Sequence, residues 1–157
     1  MQQRHRESRF RRIMTALDRF AATSVLGEQA LLTPRHMAKV LRCSTPVVAK
    51  LRRERKLLPP VLIGSKYRWR LDNMRLRARK KYDIYTEIGA NQPSSTAALS
   101  DNAELSIKQF AGFLGCSERY LMKLEKRGEL PPVSQVARPL RWRVRDVRGW
   151  VIKGCRN

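Results

Sequence analysis

Residues 32–57 read LTPRHMAKVLRCSTPVVAKLRRERKL, and residues 105–130 read LSIKQFAGFLGCSERYLMKLEKRGEL. Offset by 73 positions, the two stretches share eight identities, namely Leu32/Leu105, Ala38/Ala111, Leu41/Leu114, Cys43/Cys116, Ser44/Ser117, Lys50/Lys123, Leu51/Leu124 and Leu57/Leu130. Each copy then runs into a Pro-Pro pair, a short β-like stretch and an Arg-Trp-Arg triplet. A repeat in this order predicts two copies of one small structural unit.

The repeat divides the 157-residue chain into four parts. We expect a basic amphipathic helix within residues 1–31, a first module at 32–88, a linker at 89–104 and a second module at 105–157. The linker contains no basic residue and is rich in Ser, Ala and Asn. Modules of this size have small cores that are marginal alone, so we expect the modules to pack on each other or on flanking helices.

The sequence of each module predicts a short helix, a tight turn, a second helix and a β-hairpin. Hydroxyl side chains suited to N-caps open the first helix of each pair at Thr33 and Ser106, and the second at Ser44 and Ser117. The fold class is therefore mainly α with short β-hairpin wings.

Turn residues and caps predict the rest of each module. Gly64-Ser65-Lys66 turns the first hairpin, and a basic helix follows at roughly 72–88. In the second module, Gly128 lies where a left-handed C-cap is wanted. Asp146 is predicted to cap a last helix at 147–153.

The charge of the chain limits its partners. It carries 34 Lys and Arg against 13 Asp and Glu, a formal charge of +21. This excess predicts a polyanionic partner or an anionic membrane surface. No apolar run is long enough to span a membrane, and the N-terminus lacks the hydrophobic core of a signal peptide. We therefore expect a cytoplasmic nucleic-acid-binding protein without a membrane partner.

The second helix of each pair is the candidate DNA-reading element, because a helix-turn-helix places that helix in the major groove. With Val48 and Leu51 turned inward, and the equivalent positions likewise, the outward residues are Thr45, Pro46, Ala49, Lys50, Arg53, Glu118, Arg119, Met122, Lys123 and Lys126. Lys50 and Lys123 are the leading candidates for a base-edge or nearby phosphate contact. Arg119 suits a bidentate contact to guanine, and Glu118 would orient it or accept from cytosine. Because the two outward sets differ, the modules should read different half-sites.

Strand alternation turns both arginines of each triplet to one face and the tryptophan, Trp69 or Trp142, to the other. We predict that the tryptophans pack in the core, with base stacking as the alternative. The arginines are expected to grip phosphate or enter the minor groove. The basic residues expected to contact DNA from the two wings are Lys66, Arg68, Arg70, Arg138, Arg141 and Arg143.

The helical pattern of residues 6–30 has one apolar and one basic face. The favoured interpretation is a helix that covers the core of the first module. A dimerisation helix, which would give a homodimer, and an arm that grips DNA are the alternatives.

Nothing in the sequence predicts catalysis. The three cysteines have no CxxC partner and no nearby His pair, so they predict no zinc site. Their small, odd number suits thiols in a reducing cytoplasm, and Cys155 is interpreted as incidental. His5 and His36 form no arrangement typical of a nucleophile or general base. We expect no enzyme activity and no cofactor.

These residues resemble the excisionase and AlpA-type winged helix-turn-helix proteins, which are related to the DNA-binding domain of MerR regulators. The matching residues of the second module are Gly128, Leu130, Pro131, Pro132, Trp142, Arg143 and Asp146. The first module departs from the pattern: Arg55 replaces the glycine, Leu58 is an extra residue before the prolines, and Asp72 falls one place early. The resemblance implies small bacterial or phage proteins that bind adjacent sites and bend DNA. Such proteins regulate transcription or direct a site-specific recombinase toward excision.

The sequence therefore predicts a sequence-specific double-stranded DNA-binding protein of a bacterial mobile element, associated with the nucleoid. It would act as a transcriptional regulator or excisionase, with RNA polymerase or a recombinase as its protein partner. Two modules on a flexible linker would bind tandem half-sites about one helical turn apart. The alternative is a DNA-binding assembly protein, such as a phage terminase small subunit or an origin or conjugation accessory factor. Structured RNA is a weaker candidate, because the paired helix-turn-helix frame favours duplex DNA.

Overall fold

The computed structural model describes residues 2–82, 98–134 and 138–156, and it is mainly helical with small antiparallel sheets. The elements in chain order are α1 (Gln2–Thr23), a 3-10 turn (Gly27–Gln29), β1 (Leu31–Leu32), α2 (Pro34–Leu41), α3 (Thr45–Arg53), β2 (Val61–Ile63), β3 (Lys66–Arg70), α4 (Leu71–Tyr82), β4 (Glu104–Leu105), α5 (Ile107–Leu114), α6 (Glu118–Lys126), β5 (Trp142–Arg143) and α7 (Val144–Ile152).

The N-terminal helix α1 covers the first module. Its apolar stripe buries Phe10, Leu17 and Ala21, and Leu17 and Ala21 belong to the same core as Met37 and Val48. This packing agrees with the favoured interpretation of residues 6–30. The helix ends at Thr23, however, and does not reach residue 30.

The early end of α1 has a structural consequence. The chain turns at Gly27, whose φ is +55°, a conformation that suits glycine. Val25 and Leu26 leave the helix and pack against the core of the second module, where Leu26 is only 1% exposed. The prediction that the helix continues to residue 30 is therefore wrong, because the side chains of Val25 and Leu26 pack in the core of the second module.

The hairpin predicted in the first module is confirmed. Strands β2 and β3 pair antiparallel with Val61 opposite Arg68, and the turn falls at Gly64-Ser65. β1 pairs with the other edge of β3, with Leu31 opposite Arg70, which gives the sheet order β1-β3-β2.

The hairpin expected in the second module is not present in the described residues. β5 pairs instead with β4, which precedes α5, and Leu105 lies opposite Trp142. Among residues 131–134 and 138–141, one backbone hydrogen bond joins the two sides, from the amide of Ser134 to the carbonyl of Arg141 at 2.8 Å. Proline has no amide hydrogen to donate to a strand ladder, and this segment has prolines at 131, 132 and 139.

Two helix boundaries also differ from prediction. α7 begins at Val144 after the extended residue Arg143, so Asp146 lies inside its first turn and the predicted Asp146 cap is wrong. The carboxylate still lies near the positive end of the helix dipole. α4 begins at Leu71, and residues 83–88 of the predicted basic helix lie outside the described residues.

The predicted linker is only partly a linker. Residues 89–97 lie outside the described residues, but the remainder is bound to the protein. The amide of Leu99 donates to the carbonyl of Val25 at 2.9 Å, and β4 begins at Glu104. This end of the segment is therefore part of the fold.

The two modules share a core. Leu26, Leu31 and Ile63 are buried in the same cluster as Phe110 and Trp142 of the second module. Residues 32–88 and 105–157 therefore pack on each other, which is one of the two arrangements expected for cores this small.

Arg148 of α7 ties the second module to the segment that precedes the first. Its guanidinium donates to the carbonyls of Leu26 and Leu99 at 3.3 and 3.0 Å, and to Oε1 of Gln29 at 2.9 Å. Together with the shared core, these bonds hold the two modules in one body.

Candidate nucleic-acid interface

Reciprocal capping boxes start the first helix of each pair. Thr33 Oγ1 accepts from the amide of His36 at 3.2 Å, while His36 Nδ1 accepts from the amide of Thr33 at 3.3 Å. Ser106 and Gln109 repeat the arrangement at 3.2 and 3.0 Å. His36 thus takes the place of the Gln or Glu usual at this position. Burial, followed by the charges of Lys39, Arg68 and Arg35, lowers the pKa of His36, and the neutral imidazole is the form that accepts this bond.

The turns of the two helix pairs have left-handed residues at equivalent positions, but the residues themselves differ. After α2 and α5, the left-handed position is Arg42 (φ 52°) in one pair and Gly115 (φ 65°) in the other. After α3 and α6, it is Arg55 (φ 55°) and Gly128 (φ 69°). Gly128 was predicted to adopt this conformation. In the first module arginine adopts it at both places, at a cost of about 1 kcal/mol or more for a residue with a side chain.

The second helix of each pair starts at a serine, as predicted, but only one serine forms the capping bond. Ser117 Oγ accepts from the amide of Tyr120 at 3.1 Å. Ser44 has the extended N-cap backbone of α3, but its side chain accepts no hydrogen bond there. The prediction that Ser44 caps α3 is therefore correct in position and wrong in the contact.

The outward face of α3 is largely as expected from helical phase. Val48 is fully buried, whereas Leu51 is only half-buried and marks the edge of the inward face. Ala49 is half-buried, and the exposed candidates are Thr45, Pro46, Lys50 and Arg53. The Lys50 ammonium lies 3.9 Å from Glu54, one turn further on. An exposed pair at this distance is weak, so Lys50 keeps its freedom to contact a polyanion.

The outward face of α6 is also as expected. Leu121 and Leu124 are fully buried. Met122 is half-buried, and the exposed candidates are Glu118, Arg119, Lys123 and Lys126. Both second helices therefore present cationic side chains to solvent.

Arg68, predicted to contact DNA, lies instead between the two modules. It is 5% exposed, and its guanidinium donates to the carbonyls of Leu114 at 2.7 Å and Gly115 at 3.0 Å. It also donates to the carbonyl of Tyr67 at 2.7 Å. Burial lowers the pKa of Arg68. The structure thus places Arg68, predicted to grip phosphate or enter the minor groove, in the interface between the modules, where three of its N–H groups donate to carbonyls.

Arg70 lies on the same face of β3 as Arg68, as strand alternation predicts. It forms a two-pronged ion pair with Asp72, at 3.1 and 2.5 Å, and donates to the carbonyl of Ile152 in α7 at 3.4 Å. Its side chain is 17% exposed. The face expected to meet DNA is thus covered by the second module.

The second triplet remains open. Trp142 is fully buried, as predicted, while Arg143 is exposed and Arg141 is half-buried. Arg138, in the preceding segment, is exposed. Trp69 is also a core residue, and its indole donates to the carbonyl of Leu58 at 3.0 Å. Core packing is therefore confirmed for both tryptophans.

The tip of the first hairpin lies against α6. The amide of Ser65 donates to the Tyr120 hydroxyl at 3.2 Å, and that hydroxyl faces the carbonyl of Ile63 at 3.4 Å. Lys66 is exposed, with its ammonium 5.0 Å from the centroid of the Tyr120 ring. A side chain on Gly64 would collide with that same hydroxyl. The hairpin therefore fixes α6 relative to the first module.

One ion cluster, formed around a buried arginine, had no signal in the sequence. Arg75 of α4 is 8% exposed and pairs with Asp18 of α1 and with Glu28, each at 2.6 Å. Burial alone would lower the pKa of Arg75, but the hydrogen bonds to Glu28 and Asp18 raise it above its usual value. Arg75 lies 47 positions after Glu28 and still further after Asp18, so no local spacing relates it to its partners.

The thiols give no second site. Cys43 and Cys116 are half-buried, and burial raises the pKa of Cys155 to about 12. Cys155 is buried in the core that contains Phe110 and Trp142, so it has a packing role that the sequence did not indicate. In residues 2–82, 98–134 and 138–156 no three His, Cys, Asp or Glu side chains cluster as a metal site would require. Across the same residues, no helix combines the length and the apolar character needed to cross a membrane.

Comparison with models of protein families, with curated proteins and with solved structures gives no match to this chain.

Proposed function

We propose that this chain is a sequence-specific, double-stranded DNA-binding protein with two tandem helix-turn-helix modules, in which α3 and α6 are the recognition helices. The observation that carries the proposal is the pair of exposed cationic faces on two second helices with the same backbone frame. Lys50 and Lys123 occupy equivalent positions on those faces. The net charge of +21 supports a polyanionic partner.

The shared core changes the expected target site. A flexible linker would have let the modules bind half-sites at variable spacing, but the contacts of Arg68, Tyr120 and Arg148 hold them together. We infer one composite site with two unlike halves at a fixed spacing. A regulator or an excisionase of a mobile element, acting with RNA polymerase or a recombinase, is the biological role that we propose.

The test is selection of bound sites from a random duplex pool, at a fixed salt concentration. The wild-type chain should enrich a bipartite motif with constant spacing. Lys50→Ala and Lys123→Ala should each blur one half and weaken specific binding about ten-fold, the scale of one base contact. Lys153→Ala removes the same charge from an exposed position at the end of α7 and is the matched control.

Two results would each overturn a different part of the proposal, the first the reading of sequence and the second the fixed spacing. Enrichment of no motif, with a steep salt dependence only, would make the chain a charge-driven coating or assembly protein. A motif that tolerates two inserted base pairs between its halves would contradict the fixed spacing and leave sequence reading intact.

A further inference from the structure

A groove of about 1040 Å³ lies on the first module, lined by α1, α4, the end of α2 and the segment that follows α3. Along α1 it extends from Arg9 to Thr23, which is about 20 Å at the rise of an α-helix. On α4 its wall is Met74 and the residues three, four and seven positions after it, Arg77, Ala78 and Lys81. No residue of α3 or α6 lines it, so it is separate from the two proposed recognition helices.

The rim of the groove is cationic. Nine of its twenty lining residues are Arg or Lys, and none is Asp or Glu. Four of the nine lie on α1, and among them Arg12 and Arg19 are exposed. Arg42, held in its left-handed conformation, lies at the end of α2 beside the same groove. Cations this dense select for a strongly acidic occupant.

The floor of the groove is apolar. Nine further lining residues are aliphatic or aromatic, and those from α1 include Ile13, Ala16 and Phe20, all half-buried. Leu57 and Leu58, which follow α3, also line the groove and are half-buried. A phosphate backbone alone would leave this floor uncovered, whereas apolar side chains would bury it.

Two other occupants fit less well. A second copy of this chain in a two-fold dimer would place the same cationic rim against itself, so the groove disfavours a homodimer through this face. Single-stranded nucleic acid prefers several aromatic rings for stacking. The lining offers one, Phe20, whose ring already lies 4.6 Å from that of His36.

We propose that this groove is a docking site for an acidic amphipathic helix of a partner protein. Leucine-like side chains of that helix would cover the floor between α1 and α4, and its carboxylates would face the cationic rim. The apolar stripe of α1 runs for about four helical turns and that of α4 for about two, and together they form the kind of groove in which a third helix packs.

The probe is a fluorescent peptide of about 18 residues, built from Glu, Ala and Leu with the leucines at i, i+3, i+4 and i+7. Its control has the same composition in an order without an apolar face. Binding to the full chain is measured by fluorescence anisotropy at about 150 mM salt, where exposed charges more than about 8 Å apart are screened. The amphipathic peptide should bind about ten-fold more tightly than the control, because only it covers the floor.

Two charge-reversal variants separate the groove from the rest of this basic protein. The double variant Arg12→Glu with Arg19→Glu should lower the affinity for the amphipathic peptide about ten-fold. The double variant Arg119→Glu with Lys126→Glu, on α6, should change that affinity less than about two-fold. All four side chains are exposed, so both variants should keep the wild-type melting temperature, which is checked first.

Equal binding of both peptides, or equal losses in both variants, would overturn the proposal in favour of nonspecific charge. A loss of duplex binding in the α1 variant as large as its loss of peptide binding would also overturn it and assign the groove to nucleic acid. The site selection on the wild-type chain tests DNA recognition separately, so failure of one proposal is distinguishable from failure of the other.

Discussion

Arg68 and Arg141 occupy equivalent positions in the two modules, and the protein uses them in opposite ways. Arg68 is buried and holds carbonyls at the end of α5, whereas Arg141 is half-buried beside the exposed Arg143. The flanking tryptophans, in contrast, are both in a core. Both copies of the repeat thus keep a buried tryptophan as the inward residue of the strand. The outward face is an interface in the first module and is open in the second.

The largest effect should come from removing the Arg68 contacts that distinguish the first module from the second. We expect Arg68→Ala to lower the free energy of unfolding by about 3 kcal/mol, because the carbonyls of Leu114 and Gly115 lose a charged, buried donor. Arg141→Ala is the matched control and should cost less than about 1 kcal/mol. Urea unfolding of both variants measures the comparison. Equal losses would mean that the interface contributes nothing beyond the sheet itself.

A second test exchanges the left-handed residues. Arg55→Gly should raise the free energy of unfolding by about 0.5–1 kcal/mol, because glycine adopts a φ of 55° without the clash of a Cβ. Gly128→Arg should lower it by a similar amount, since the equivalent position then carries the same strain. Both are measured by urea unfolding. A loss of stability in Arg55→Gly would show that its side chain contributes more than its backbone costs.

The smallest effect concerns pH. The pKa of His36 is lowered in the folded protein, so the unfolded chain binds the proton more readily. The stability linked to this group is therefore fully present above about pH 6.5 and is lost as the pH falls below it. Replacing the imidazole by the amide found in the second module, His36→Gln, should remove this acid-dependent loss of stability. Thermal unfolding of the wild-type protein and of His36→Gln is measured at pH 7.5 and 5.5. An equal change in melting temperature between the two pH values in both proteins would exclude His36 as the source.

The sequence predicts the parts of the structure that short-range patterns control. The helix pairs, the cap at Ser117, the left-handed Gly128 and the turn at Gly64 all follow from residues within a few positions of each other. Helical phase also places Lys50 and Lys123 on exposed faces, as the structure confirms. Whether these lysines meet DNA stays a prediction.

The failures share a physical cause. A period of two shows that Arg68 and Trp69 face opposite ways, but it does not identify which element covers each face. The partners of Arg68 are 46 and 47 residues away, and those of Arg75 are similarly distant. Val25 and Leu26 fit a helical pattern locally, yet the core of the second module takes them out of α1.

The placement of Val25 and Leu26 bears on how the protein folds. The second module completes its core with residues that precede the first module, through contacts such as Arg148 to Leu26, 122 positions apart. During synthesis on the ribosome, this segment therefore lacks its packing partners until α7 has been synthesised. Contacts of such long range slow folding, so the two repeats should not mature one after the other but join in a single late, cooperative step.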